Sequence, residues 1–93
     1  SSKDGLIDWR MPATAIYNLV RALNKPYPGA EIIDRDKVAK VWRVLIEECD
    51  QKNVEPGKVI DVSDEGPLVK AGYGAVRLLD TDPPLHLSVG DYL

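Results

Sequence analysis

A chain of 93 residues with 44% apolar side chains holds one domain around one modest core. It has no apolar run of the roughly 18 residues that a membrane span needs, and no charged-then-apolar start like a signal peptide. It therefore reads as soluble and cytoplasmic. One cysteine (Cys49) and one histidine (His86) exclude an internal disulfide framework, a multi-cysteine zinc site and a two-histidine metal site.

Residues 1–5 are small and polar, and read as a linker or a remnant of a cut from a longer chain. Pro12 suits a first helical position, where its missing N–H is not needed. Ala13, Ile16, Leu19, Val20 and Leu23 then recur at helical spacing, which predicts a helix over about 12–24. Pro26, Pro28 and Gly29 stop it.

Two readings fit the next stretch. Val38, Val41, Trp42, Leu45, Ile46 and Cys49 sit on one helical face, with Asp36 as a cap. As a strand, Val38, Lys40, Trp42, Val44 and Ile46 take one face and Ala39, Val41, Arg43 and Leu45 the other. The density of β-branched and aromatic residues favours the strand, paired with Ala30–Ile33 through a turn over 34–37. Further strands follow at 59–62, 68–71 and 75–79, with turns at 63–66 and 72–74. Ser88 and Asp91 have the spacing of a helix start. One leading helix and about five short strands predict a mainly β fold, either a small antiparallel barrel of the five-stranded Greek-key kind or a sandwich.

Catalytic equipment is sparse. His86 lies between two leucines beyond Pro83-Pro84 and reads as a polar loop histidine. Cys49 follows Glu47-Glu48, whose charge opposes thiolate formation. Glu47-Glu48 and Asp64-Glu65 read as solvated acids at strand ends. Gly72-Tyr73-Gly74 precedes a strand-like run rather than a helix, so it reads as a hairpin turn and not as a phosphate loop. Trp9 and Tyr27 flank the helix as core anchors.

Charge is divided unevenly. The net value is −3, which argues against a dedicated nucleic-acid binder. Yet residues 1–45 hold eight Lys/Arg against five Asp/Glu, while 46–93 hold four against ten. The basic candidates for contacting a phosphate backbone are Arg10, Arg21, Lys25, Arg35, Lys37, Lys40 and Arg43. On a continuous strand, Arg35, Lys37 and Arg43 would share one face and Lys40 the other.

Several of these segments, in this order, resemble the C-terminal domain of the methionyl-tRNA formyltransferase family, which includes the sugar-nucleotide N-formyltransferases. They are Asp8-Trp9, Pro12-Ala13, the run Ile16–Leu23 and Pro26-Tyr27-Pro28-Gly29-Ala30, followed by Lys40-Val41-Trp42-Arg43 and Pro56–Ile60. Gly72–Leu79 and Leu87–Leu93 complete the set. The resemblance covers residues 6–93 as one domain, with the start of a final helix at 88–93. It implies a small open Greek-key β-barrel resembling an OB-fold, with about five strands and one leading helix, and strand for 38–47.

The resemblance also implies a parent protein that transfers a formyl group from 10-formyltetrahydrofolate to an amino group. Its catalytic asparagine, His-Pro-Ser histidine and aspartate lie in a preceding, N-terminal Rossmann-like domain. Here His86 is followed by Leu87-Ser88, so no catalytic, cofactor-binding or metal residue is assigned to this chain. The implied role is to pack on the catalytic domain and help position the acceptor, methionyl-tRNA first and a sugar nucleotide as the alternative. A separate reading is a free-standing OB-like module that holds single-stranded nucleic acid around Trp42 and Tyr73.

Overall fold

The computed structural model describes residues 5–93, so most of the expected 1–5 linker lies outside the described residues. One helix, α1 (Ala13–Ala22), precedes five strands: β1 (Ala30–Asp34), β2 (Lys37–Glu47), β3 (Val59–Ser63), β4 (Gly66–Lys70) and β5 (Ala75–Asp82). The predicted helix and all five strands form, and the ambiguous stretch is the long strand β2. Pro12 is the N-cap rather than the first helical residue, with extended backbone.

The strands make one antiparallel sheet in the order β1-β2-β5-β4-β3. The expected barrel does not form. Its closure would need β1 to pair with β3, and these are the two edges of an open sheet. Each edge is partly taken by another segment: Ile7 N–H donates to the Glu31 carbonyl beside β1, and Val59 N–H donates to the Asp91 carbonyl beside β3. Residues 88–93 hold a turn and an isolated bridge from Tyr92 to Lys58 instead of the start of a helix.

The buried core takes Ala13, Ile16 and Val20 from α1, packed on Ile32, Val41, Val69, Val76 and Leu78 of the sheet. Trp9 joins it, whereas Tyr27 is 61% exposed and anchors nothing. The β1–β2 hairpin turns through Arg35 and Asp36, both at positive φ (49° and 72°). That is the two-residue turn whose twist matches flanking strands.

The alternation of β2 changes phase in its middle. Ala39 and Val41 are buried, and so is Val44. Register against β5 is irregular at this place: Val41 faces Thr81, Arg43 faces Asp80 and Val44 faces Leu78. One extra residue on each strand, Trp42 and then Leu79, lets the buried face continue across the break.

The turn between β4 and β5 holds the start of α1. Gly72 N–H donates to the Met11 carbonyl (3.0 Å), and Ala13 N–H donates to the Tyr73 carbonyl (2.8 Å). The backbones approach so closely that a Cβ on Gly72 would lie 1.9 Å from the Arg10 carbonyl oxygen.

Candidate functional site

The seven basic residues separate into two kinds. Three are bound to carboxylates. Arg10 donates to Asp8 through Nε (3.0 Å) and Nη2 (2.8 Å), and this pairing holds the Asp8 carboxyl at about 2. Arg35 sits on the hairpin turn, off the strand face expected for it, 3.4 Å from Asp91 and 4.0 Å from Asp34. Lys40 is 2.6 Å from the buried Glu31, its neighbour across the β1–β2 ladder. Its charge is used inside the fold.

Among the described residues, no carboxylate lies within ion-pair distance of Arg21, Lys25, Lys37 or Arg43. Lys37 stands apart at the hairpin end of β2, in a cleft shared with Arg35, Pro83, Pro84 and His86. The other three converge. Arg21 and Arg43 line a cleft of about 370 Å³ between α1 and β2, together with Tyr17, Val20, Asn24, Trp42 and Val44. Lys25, on the connection after α1, does not line the cleft but lies against one of its walls, its Nζ 5.0 Å from the centre of the Trp42 ring.

Local structure fixes this arrangement. Tyr17 and Arg21 are four residues apart and therefore neighbours on the helix surface; the guanidinium carbon lies 5.7 Å from the ring centre. Asn24 ties the end of α1 to the sheet by donating its amide to the Trp42 carbonyl (2.6 Å). The Trp42 indole packs on Gly29, where a Cβ would come within 2.8 Å of the ring and φ is +89°. Because the irregularity falls at Trp42, the strand presents Trp42 and Arg43 next to each other at the cleft.

Strict alternation concealed that pair, since it assigned Trp42 and Arg43 to opposite faces. Tyr17 and Asn24 were not among the expected contacts; the four-residue spacing of Tyr17 and Arg21 was the signal for the first. Tyr73 is 80% exposed at the β4–β5 turn and does not share the cleft with Trp42.

A second cleft, at the start of α1, is acidic. It is lined by Glu47, Glu48, Cys49 and Asp50 with Ala13, Thr14 and Tyr73. Among the described residues, no group of three His, Cys, Asp or Glu is placed to hold a metal ion, and no helix is long and apolar enough to cross a membrane. The arrangement between α1 and β2 presents a cationic rim over an apolar floor, and an anionic ligand fits it.

The family model and the curated relatives point to one family. The family model for the formyl transferase C-terminal domain matches residues 1–85. A methionyl-tRNA formyltransferase from Ruminiclostridium cellulolyticum is 35% identical over 92 residues, covering 96% of this chain and 29% of that protein. One from Symbiobacterium thermophilum is 40% identical over 81 residues, covering 86% of this chain and 24% of that protein. Among solved structures, a HypX variant from Aquifex aeolicus shares the fold with a TM-score of 0.62 and 23% identity, over 82% of this chain and 14% of its own. This chain thus spans 24–29% of the length of these two methionyl-tRNA formyltransferases.

Proposed function

The chain belongs to the formyl transferase C-terminal domain family, and from that premise we propose that it is the non-catalytic C-terminal domain of a cytoplasmic formyltransferase acting on methionyl-tRNA. In that protein a preceding Rossmann-like domain carries the chemistry. When bound by that domain, 10-formyltetrahydrofolate would supply the formyl group for an amino group, the proton lost by the amine balancing the one taken up by the released folate nitrogen; no residue of this chain is assigned to hold it. This chain packs beside that domain and holds the acceptor.

The observation that supports the reading is the gathering of Arg21 and Arg43 on one cleft, with Lys25 over the ring of Trp42 at its wall. Cations without carboxylate partners are free to neutralise phosphates, and counterion release then drives binding. The negative net charge does not oppose this, because the carboxylates crowd at the acidic cleft and in the second half of the sequence. Backbone phosphate contacts position a nucleic acid without reading its sequence, which suits an accessory domain.

Fluorescence anisotropy of labelled methionyl-tRNA with this chain tests the reading. Replacing Arg21 and Arg43 together by glutamine is expected to weaken binding. The slope of log K against log salt should also fall, by about 0.7–0.9 for each phosphate no longer neutralised. Unchanged affinity and slope would remove the cleft from the acceptor surface.

A further inference from the structure

We infer that Trp42 and Tyr17 are positioning residues, whose rings hold Lys25 and Arg21 in place so that their charges meet the acceptor's phosphates from a prearranged geometry. The inference rests on the acceptor surface proposed above and adds what makes it work. Both cations stand over rings within the roughly 6 Å at which a ring's negative face attracts a cation. Lys25 lies 5.0 Å from the centre of Trp42, and Arg21 lies 5.7 Å from that of Tyr17.

The rings themselves are fixed. Trp42 lies on a strand, packed on a glycine that admits no side chain, and its carbonyl is held by Asn24. Tyr17 is on α1, one turn before Arg21. Long basic side chains lose considerable rotamer freedom when they grip a ligand. A ring that restricts them beforehand reduces that loss, which is the general advantage of preorganisation. The ammonium of Lys25 has three donors in a compact head, so the ring on one side leaves donors for a phosphate on the other. With one cation already over each ring, that ring face is not presented as a stacking platform for bases, and the contact is to the phosphate backbone.

The test is a double-mutant cycle with Lys25→Gln and Trp42→Leu, read by the same anisotropy titrations, together with the NMR shift of the Lys25 ε-methylene protons. In the unaltered chain the indole ring current moves these protons upfield, and Trp42→Leu abolishes the displacement. Trp42→Leu keeps every charge, yet is expected to weaken binding about two- to five-fold, the equivalent of an exposed cation–ring contact. It should also lower the salt slope toward that of Lys25→Gln. The double variant should bind no worse than Lys25→Gln alone, and Trp42→Tyr should restore both affinity and slope.

Additive losses in the double variant, or no ring-current displacement, would overturn the positioning role while leaving the acceptor surface standing. A displaced resonance together with unchanged binding in Lys25→Gln would overturn the placement of Lys25 at the acceptor as well. Trp42→Tyr keeps a ring in the same place, so it separates removal of the aromatic face from a loosened fold.

Discussion

The guanidinium of Arg77, on β5, donates two hydrogen bonds to the Glu47 carboxylate at the end of β2, through Nε at 2.9 Å and Nη2 at 3.2 Å. Its third nitrogen, Nη1, donates to Asp61 on β3 at 2.7 Å and to the Gly66 carbonyl at 3.1 Å. One side chain, 9% exposed, therefore fastens both neighbours of β5, β2 and β4, and the edge strand β3 beyond β4. The hydrogen bond to Glu47 is the main cause that raises the affinity of Arg77 for its proton. Such a planar group with five donors meets a carboxylate in a way that an ammonium does not.

Arg77→Ala is accordingly expected to destabilise the chain by about 2–4 kcal/mol, measured as the midpoint shift in urea unfolding. The lower part of that range follows from Asp61, which is half exposed and rehydrates when its partner is removed. Arg77→Lys should recover only a minor part. A shift below about 0.5 kcal/mol would mean that the network contributes no more than a surface ion pair.

Gly72 is required for space rather than for backbone conformation. Gly72→Ala places a methyl group 1.9 Å from the Arg10 carbonyl oxygen, so either the β4–β5 turn or the start of α1 must move. The expected loss is at least about 2 kcal/mol, with amide exchange at Ala13 accelerated before that of the central strands. Unaltered stability would show that the two backbones separate freely.

Asp8 provides a pH test. Arg10 holds its carboxyl at about 2, below the ordinary 3.8, chiefly through side-chain hydrogen bonds. A carboxylate depressed on folding contributes stability that is complete above its unfolded value near pH 4, and that disappears as the pH falls through about 2. Wild type and Asp8→Asn should therefore differ at about pH 6 and converge below about pH 2. A carboxyl NMR midpoint close to 3.8 would contradict the pairing.

Lys40 and Arg43 lie three residues apart on one strand but are expected to behave differently. Lys40→Gln takes a charge from a pair with the buried Glu31, so it should lower the unfolding midpoint and leave affinity for the proposed acceptor, methionyl-tRNA, nearly unchanged. Arg43→Gln should do the reverse, since Arg43 is exposed at the cleft and joins none of the fold's ion pairs among the described residues. Circular-dichroism melts beside anisotropy titrations separate the two effects.

Much of the fold was legible from residue types. The prolines around α1 marked its limits, the polar turn over 34–37 marked a hairpin, and Gly72 and Gly74 marked a chain reversal. Barrel closure was not legible, because it depends on whether two edges meet, and here segments from both ends of the chain lie against those edges. The site was half legible. A run of basic residues is visible in sequence, but which charges are already neutralised is decided by register, as with Lys40 across from Glu31. The phase change at Trp42 also defeats any argument from strict alternation, since a single extra residue reassigns everything after it.

The helix start bears on how the chain acquires its structure. No side chain caps α1, and the donor at Ala13 is satisfied by the Tyr73 carbonyl, from the far side of the sequence. A ten-residue helix has little stability by itself in water. A fragment ending at Leu23 should therefore remain largely unstructured, and α1 should gain protection only after β4 and β5 have formed their turn. Folding would then proceed late-to-early along the chain, with the last strands serving as the template on which the first element settles.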